Sequence, residues 1–408
     1  MATPDPILVL FDDARARRWS PFAETRPVGE LLFGALRLRE RAEAASGRPC
    51  VAHLAGPGLE GWDEPGAPPC LAPSGVDADR PRLYWSSRAA ALRLPALPVD
   101  APATLESGGT VVGWSVPPGH PGPDADALAD PERHRLGQTV EVEADLLAWP
   151  WSLIAGASRR LAADLDALHH ADADPGPIPG VHRLGDHGLA LADGAVVGPG
   201  VVLDLRDGPI RLEAGVRVDG PARLTGPLHL GPGSVVFGGF LARVACGPVC
   251  KLRGEIADSV FVGYANKAHD GYLGHALVGR WVNLGANTTN SDLKNSYGNV
   301  RVELPHGRVD TDLMKVGVFL GDHVKTGIGT LLTTGGVVGA GSNVFGGGPA
   351  APRHLPAFSW CGPDGVEPFR FDKFVEIAQA AMARRGMALT PGVEVVLRRL
   401  RTAVHGDA

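Results

Sequence analysis

Aliphatic residues recur at every sixth position through the second half of the chain, and glycine follows many of them. The residues in this phase, all aliphatic except for one threonine, are Leu212, Val218, Leu224, Leu230, Val236, Val278, Leu284, Leu320, Thr326, Leu332, Val338 and Val344. The following glycines are Gly231, Gly279, Gly285, Gly321, Gly327 and Gly339. A period of six is typical of a parallel β-helix, in which three short strands form one triangular coil around an aliphatic axis. The pattern therefore predicts a left-handed parallel β-helix over residues 180–350, since the alternative of a β-sandwich would need a period of two.

The polar and apolar pattern before the repeats differs from that of the β-helix. Residues 6–12 form a continuous apolar run typical of a buried strand, and residues 29–45 have the apolar spacing of a helix. Residues 146–169 have helical spacing as well, and residues 171–179 are predicted to be a linker. A strand followed by a helix indicates an α/β domain, which we expect to span residues 1–170.

Two further segments depart from the repeat. The stretch 287–314 is too polar for a coil and predicts an excursion from the stack, of the kind that often carries function. Residues 372–387 and 392–403 have helical spacing and predict a C-terminal helical extension over residues 351–408. These helices are expected to cover the last coil.

Composition narrows the class of protein. A net charge of −6 over 408 residues, without a basic run, argues against nucleic acid as the main partner. The five cysteines form no paired framework, and no signal peptide or apolar span of membrane length is recognisable. We therefore expect reduced thiols, a cytoplasmic location, no membrane association and no metal site built by cysteine.

Candidate chemistry is concentrated in the stretch 260–295, which contains His269 among hydrogen-bonding residues. A neutral imidazole suits a general base that removes a proton from an attacking amine or hydroxyl group. Asp270 or a backbone carbonyl could fix its tautomer, and the sequence leaves both open.

The segments Asn266–Tyr272 and Val278–Ala286 resemble the acetyltransferase half of the bifunctional N-acetylglucosamine-1-phosphate uridylyltransferase/glucosamine-1-phosphate acetyltransferase family. They look closer still to a divergent, Bacteroidetes-like form of it, with stretches of the YSNKGHDGFLG and WCNLGA type. The resemblance implies that His269 is the general base and that the acyl donor is acetyl-CoA, bound in a groove between two subunits of a homotrimer. It also implies roles in substrate binding for Lys267, Tyr272, Asn283, Lys294 and Arg253.

The first domain resembles sugar nucleotidyltransferases less closely, because their glycine-rich phosphate loop is absent. Residues 10–27 instead resemble the start of the divergent family, which implies that Arg18 and Arg26 hold phosphate and that Asp12 contributes to Mg²⁺ binding. The resemblance thus implies a nucleotidyltransferase-like domain, degenerate or active with UTP or dTTP.

The predicted function is acyl transfer to an amino or hydroxyl group of a sugar phosphate, with nucleotidyl transfer to a sugar 1-phosphate as a second activity. One alternative is a trimeric β-helix metalloenzyme of the carbonic-anhydrase type, using His269, His275 and a third histidine such as His306 or His323 across a subunit interface. Another is a non-catalytic scaffold that binds a nucleotide sugar. The metalloenzyme would contain bound zinc after purification, and the scaffold would turn over no substrate.

Overall fold

The computed structural model describes residues 5–98, 100–169, 174–346 and 350–406. The chain divides into two compact units. The first contains the residues up to Leu31, Leu36–Trp149 and Leu389–Ala403, and the second contains Leu32–Ala35, Pro150–Ala388 and the residues from Val404. The divisions at 149 and 388 differ from the predicted domain ends at 170 and 350, because the contacts of the helix Ala157–His169 and of the helix Phe371–Ala383 lie within the second unit.

The first unit is built on a six-stranded mixed sheet. In spatial order its strands are Cys50–Leu54, Ile7–Phe11, Arg82–Ser86, Thr110–Val116, Ala103–Ser107 and Gln138–Glu141. The first three are parallel, and Thr110–Val116 runs antiparallel to its neighbours. A separate pair joins Ala89–Arg93 to Glu143–Leu146. The predicted strand at residues 6–12 is confirmed, since all five residues of Ile7–Phe11 are buried.

The helices of this unit are short apart from the last one. They are Leu38–Ser46, Ala125–Ala129 and most of Pro391–His405, with 3₁₀ turns at Ala16–Arg18, Val28–Glu30, Pro73–Gly75 and Pro131–Arg133. The predicted helix 29–45 is wrong in its first half, because Gly34 adopts a left-handed φ of 70° that a helix cannot contain. Strands Leu32–Phe33 and Leu36–Arg37 flank that glycine instead.

The helical prediction for residues 146–169 is confirmed only from residue 152. Leu146 ends a strand, and the helices are Ser152–Ala155 and Ala157–His169. This start fits the sequence, because a helix tolerates proline at its beginning but not in its interior, and Pro150 comes just before residue 152. Of the predicted linker 171–179, residues 171–173 lie outside the described residues.

The second unit is the predicted parallel β-helix, so the fold class of an α/β domain, a β-helix and C-terminal helices is confirmed. Its first face contains His182–Leu184, Val201–Asp204, Ala222–Thr225, Gly239–Ala242, Glu255–Ala257 and Tyr272–Gly274, with Thr289–Asn290 and Leu331–Leu332 paired beyond them. Its second face contains Leu189–Leu191, Ile210–Leu212, Leu228–Leu230, Ala245–Cys246, Val260–Phe261, Leu277–Val278, Phe319–Leu320, Val337–Val338 and His354–Leu355. Its third face contains Val196–Val197, Arg217–Val218, Val235–Val236, Lys251–Leu252 and Asn266–Lys267, and then Lys325–Thr326, Asn343–Val344, Ser359–Gly362 and Gly365–Pro368.

Every residue in the six-residue phase is buried, with exposures of 7% or less, as the repeat predicted. Between Val236 and Val278 the phase is lost in the sequence because some sides of the coils are one residue shorter. The inward columns stay in register there, as the pairing of Cys246 with Phe261 shows. Polar residues occupy some inward positions as well: Lys267 follows Leu252 in one column, Thr326 pairs with Val344 further along, and Asn290 pairs with Leu332 in another column.

The excursion from the stack begins later than predicted. Thr289–Asn290 still forms a coil strand, and the hairpin Arg301–Leu304 with Gly307–Asp310 projects after it. The two predicted C-terminal helices are present as Phe371–Ala383 and Pro391–His405. Within the described residues, no helix is long and apolar enough to cross a membrane. All five cysteines are free and buried.

Candidate functional site

His269 lies exposed at the corner that joins Asn266–Lys267 to Tyr272–Gly274. Its carbonyl oxygen accepts a hydrogen bond from the ammonium group of Lys267, so the backbone beneath the imidazole is held from inside the coil. The neighbouring Asp270 accepts a hydrogen bond from Arg253 Nε at 3.0 Å. Arg253 also donates from Nη1 to the carbonyl of Phe237 at 2.7 Å. An exposed imidazole on a fixed corner is available to a ligand that approaches from outside.

Lys267 is buried inside the coil, whereas the resemblance implied a contact with the substrate. The side chain has an exposure of 0% because it occupies an inward position that other coils fill with Val or Leu. Its Nζ donates to the carbonyl of Arg253 at 3.1 Å, in addition to that of His269. Burial lowers the pKa of Lys267 to about 8. The lysine therefore supports the corner and does not reach the solvent.

Tyr272 begins the strand Tyr272–Gly274, and its hydroxyl belongs to a hydrogen-bonded cluster at the far end of that strand from His269. Its hydroxyl donates to Asp292 Oδ2 at 2.7 Å, and His275 Nδ1 lies 2.7 Å from the same oxygen. Burial alone would raise the pKa of Asp292, but the hydrogen bonds from His275 and Tyr272 outweigh it and lower the pKa. Burial, followed by the bond to Asp292, raises the pKa of Tyr272 well above its ordinary value.

Sequence reasoning did not find the pairing of His275 with Asp292. A carboxylate bonded to Nδ1 fixes the tautomer of an imidazole and leaves Nε2 for proton transfer or for a ligand. His275 Nε2 lies 3.9 Å from Asp258, which is itself paired with Arg243. No local signal in the sequence marks this cluster, because Arg243, Asp258 and His275 become equivalent corners of successive coils, at φ of 53°, 48° and 47°, only through the pairing of those coils.

The remaining predicted substrate contacts, Asn283 and Lys294, are on other strands and loops of the β-helix than His269. Asn283 is exposed on the third face and accepts a hydrogen bond from Asn266 Nδ2 at 3.1 Å. Lys294 lines a cavity of about 670 Å³ with Asn290 and Arg353, and its ammonium donates to the carbonyl of Asn299. Within one chain, Arg253 bonds the residue that follows His269, whereas Tyr272, Asn283 and Lys294 bond other partners.

The histidines of the metalloenzyme alternative are not gathered in one chain. His275 bonds Asp292, whereas His323 is buried and stacks against Trp281 at a ring-centroid distance of 6.3 Å. His306 lies in the turn of the projecting hairpin. Among the described residues, no group of three or more His, Cys, Asp and Glu side chains is placed to hold a metal ion.

The first unit has a polar cavity of about 390 Å³ at the carboxyl ends of two parallel strands. Arg15 and Arg18 line it, and their guanidinium carbons lie 5.3 and 5.7 Å from the ring centroid of Trp149. Asp13 and Arg88 form an ion pair in the same wall. Ligands of open α/β sheets bind in this place, outside the carboxyl ends of the strands. Sequence reasoning named Arg18 and missed Arg15, Arg88 and Trp149 as its neighbours.

The other two predicted nucleotide ligands are buried. Arg26 has an exposure of 4% and its Nη1 donates to Glu64 Oε2 at 2.6 Å, so this guanidinium is already engaged. Asp12 has an exposure of 1%, and burial raises its pKa. Asp13 uses one carboxylate oxygen for the backbone N–H of Ala16 and the other for Arg88. These carboxylates do not fit a Mg²⁺ site, since that ion needs ionised, accessible oxygen ligands.

Comparison with known proteins supports a relation for part of the chain. Residues 8–61 match a family described as sugar nucleotidyl transferase. The chain is 30% identical over 91 residues to a bifunctional sugar-1-phosphate nucleotidylyltransferase/acetyltransferase of Sulfurisphaera tokodaii, covering 22% of this chain and 23% of that protein. It is 33% identical over 86 residues to the bifunctional protein GlmU of Methanocaldococcus jannaschii, covering 21% of each. The chain thus spans less than a quarter of the length of these two curated relatives.

A solved structure of an Arabidopsis UDP-N-acetylglucosamine acyltransferase covers 52% of this chain and 77% of its own, at 11% identity and a TM-score of 0.23. A superposition this poor supports no conclusion about function. The sequence matches agree with the predicted relation to sugar nucleotidyltransferases and bifunctional relatives. They do not single out the divergent, Bacteroidetes-like type.

Proposed function

We propose that this chain transfers an acyl group, most simply acetyl, from acyl-CoA to an amino or hydroxyl group of a sugar phosphate, with His269 as the general base. The observation that carries the proposal is an exposed imidazole on a β-helix corner whose backbone is held by the buried Lys267. The partial matches to bifunctional nucleotidylyltransferase/acetyltransferases support it. Acyl-CoA is expected to bind between subunits of a homotrimer.

The chemistry assigned to His269 is proton removal during attack. As the acceptor nitrogen or oxygen forms a bond to the acyl carbon, its proton passes to the imidazole. The carbon–sulfur bond then breaks, and the leaving CoA thiolate takes up a proton. Arg253 lies beside this corner and carries the positive charge proposed to attract the acceptor phosphate.

Asn283, Tyr272 and Lys294 remain proposed substrate contacts, each from its own position on the β-helix. In the proposed homotrimer, a site between subunits would combine these residues with His269 of a neighbouring subunit. Lys267 is proposed as a positioning residue that does not itself contact the substrate.

For the first unit we propose binding of a nucleoside triphosphate such as UTP or dTTP, with Arg18 and Arg15 facing the phosphates. One guanidinium group can bind two oxygens of a phosphate at once, and Trp149 offers an apolar surface beside the two arginines. Nucleotidyl transfer to a sugar 1-phosphate is the activity that such a site would serve. Mg²⁺ is not assigned to residues of this chain.

A panel of sugar 1-phosphates with acetyl-CoA and nucleoside triphosphates tests the two halves separately. Free thiol reports acyl transfer, and pyrophosphate reports nucleotidyl transfer. Thiol release with at least one amino- or hydroxyl-bearing sugar phosphate is the expected result. No thiol and no pyrophosphate with any pair, together with a higher melting temperature in a nucleotide sugar, would favour the scaffold alternative.

A further inference from the structure

The third face of the β-helix presents an outward row of polar residues, here called the basic column: Lys251, Asn266, Asn283 and Lys325. Strand pairing aligns Lys251 with Asn266, Asn266 with Asn283, and Asn283 with Lys325. Neighbouring strands in a sheet are about 4.8 Å apart, so the four side chains follow one another along the face. Two lysines therefore flank two amides in a row.

A cavity of about 340 Å³ lies over this row, against the helix Phe371–Ala383. Asn266, Asn283 and Lys325 form one wall, and Arg384 and Arg385 line the cavity where the helix ends. The apolar part of the lining includes Tyr264 and Trp281, whose rings stack at 4.3 Å, and residues of the helix. The cavity is at the lower end of the size range of small-molecule sites.

The cations of this region lack acidic partners. None of the residues that line the cavity is Asp or Glu. Lys325 Nζ donates to the carbonyl of His323 at 3.3 Å, and Arg385 Nη2 donates to Asn266 Oδ1 at 3.1 Å. Arg385 Nε is buried without a hydrogen-bond partner. Within the described part of the chain, no carboxylate lies within ion-pair distance of Lys251, Lys325, Arg384 or Arg385.

The grouping has an electrostatic cost when no anion is bound. Burial, followed by the charges of Arg385, Arg384 and Arg217, lowers the pKa of Lys251. Burial lowers the pKa of Lys325 to about 8, which still leaves this lysine mostly charged at neutral pH. Arg384 and Arg385 follow the C-terminus of a helix, but the negative end of a helix dipole amounts to only about half a charge. Several cations in one place are therefore not balanced by the protein itself.

We propose that the cavity between the basic column and the helix Phe371–Ala383 binds a ligand that carries a pyrophosphate or two neighbouring phosphates. The cations supply charge-assisted hydrogen bonds, and the side-chain amides of Asn266 and Asn283 supply neutral ones. The nucleotide part of a CoA thioester and the pyrophosphate of a nucleotide sugar share this chemistry. The proposal rests on the proposed acyl transfer for the source of such a ligand and shares Asn283 with it, but its test measures binding without turnover and does not involve His269.

Isothermal titration of the full-length protein with sodium pyrophosphate tests the site. At about 0.1 M salt, where screening between close charges is incomplete, wild type is expected to bind. Lys325→Met and Arg385→Met should each weaken the affinity by about tenfold or more, whereas Lys325→Arg should retain it. Lys373→Met is the matched control, since Lys373 is an exposed cation on the same helix that pairs with Glu376 outside the cavity.

Competition separates the two sources of the phosphates. CoA and a UDP-sugar are each titrated against bound pyrophosphate, and the one that displaces it at the lower concentration names the ligand class. Asn283→Asp places a negative charge on the exposed column and should weaken binding without harming folding. Absence of binding of all three compounds to wild type at millimolar concentration would overturn the proposal. Equal weakening by Lys325→Met and Lys373→Met would overturn it as well.

Discussion

A lysine in the interior of the β-helix links the core of the protein to its proposed chemistry. Lys267 occupies a position at which neighbouring coils place Leu252 and Val236, and its ammonium holds the carbonyl oxygens of Arg253 and His269. Keeping an ammonium in such a place is unfavourable unless it is hydrogen-bonded. The cost is explained if the lysine fixes the corner that carries His269.

The burial of Lys267 predicts a pH signature. The pKa is about 8 in the folded state and near 10.4 in the unfolded state, so the unfolded chain binds more protons between these values. The contribution of Lys267 to the free energy of unfolding therefore rises with pH across this window, by at most about 1.4 kcal/mol per unit. In urea denaturation, the stability of wild type minus that of Lys267→Met should increase from pH 8 to pH 10. A difference that stays constant over that range would show that this lysine is solvated.

Glu30 is a buried acidic residue of the first unit. Burial alone would raise its pKa, but hydrogen bonds with His53 and Arg39 outweigh that effect and lower the pKa to about 2. The carboxylate therefore stabilises the fold fully above about pH 4.5, and this stability is lost as the pH falls towards 2.

Glu30→Gln should lower the free energy of unfolding by about 3 kcal/mol at pH 7, because the substitution leaves buried partners without their counter-charge. The exposed Glu376, which pairs with Lys373, is the control, and Glu376→Gln should change stability by less than about 0.5 kcal/mol. Urea denaturation of both variants measures the difference. Equal effects would mean that the buried pair contributes no more than a surface pair.

At the scale of elements, the repeat could be predicted from the sequence because every sixth side chain has to fill the same axis. Leu224 and Val338 occupy such positions and are buried. Coils with a shorter side, such as the one from Cys246 to Phe261, could not be placed by a fixed period, because pairing between coils and not spacing along the chain sets their register.

The site was less predictable for a related reason. Lys267 was expected outside because lysine is almost always exposed, and only the pairing of its strand with Lys251–Leu252 reveals that it points inward. The contact of His275 with Asp292 joins residues 17 positions apart on neighbouring coils, and only the stacking of those coils brings them together. The cavity beside Asn283 depends on a helix almost a hundred positions later in the chain.

Asn290 tests whether a coil needs hydrogen bonds from an inward side chain as well as apolar packing. It pairs in register with Leu332 and has an exposure of 2%, yet its amide bonds both the N–H and the C=O of Gly274, at 2.8 and 3.0 Å. Asn290→Leu would complete an aliphatic column but leave these backbone groups unpaired, so we expect a loss of about 2 kcal/mol in the free energy of unfolding. Higher stability of the leucine variant in urea would contradict this reading.

At the scale of the whole molecule, the proposed acyl-transfer site is expected to lie between chains. Arg253 bonds the neighbour of His269, while Tyr272, Asn283 and Lys294 bond other partners within one chain. Contacts between copies of the chain would bring such positions together in a closed cyclic assembly. Light scattering should therefore give three times the chain mass of 42.5 kDa. A monomer at micromolar concentration would remove the groove proposed for acyl-CoA.

The most direct test of the account is the rate of thiol release from acetyl-CoA by His269→Gln, measured with the best acceptor from the sugar-phosphate panel. His187→Gln is the matched control, because His187 is exposed elsewhere on the β-helix. The account predicts that His269→Gln lowers kcat by at least about a hundredfold with little change in the KM for acetyl-CoA, as loss of a general base does. A His269→Gln rate equal to those of wild type and His187→Gln would contradict it.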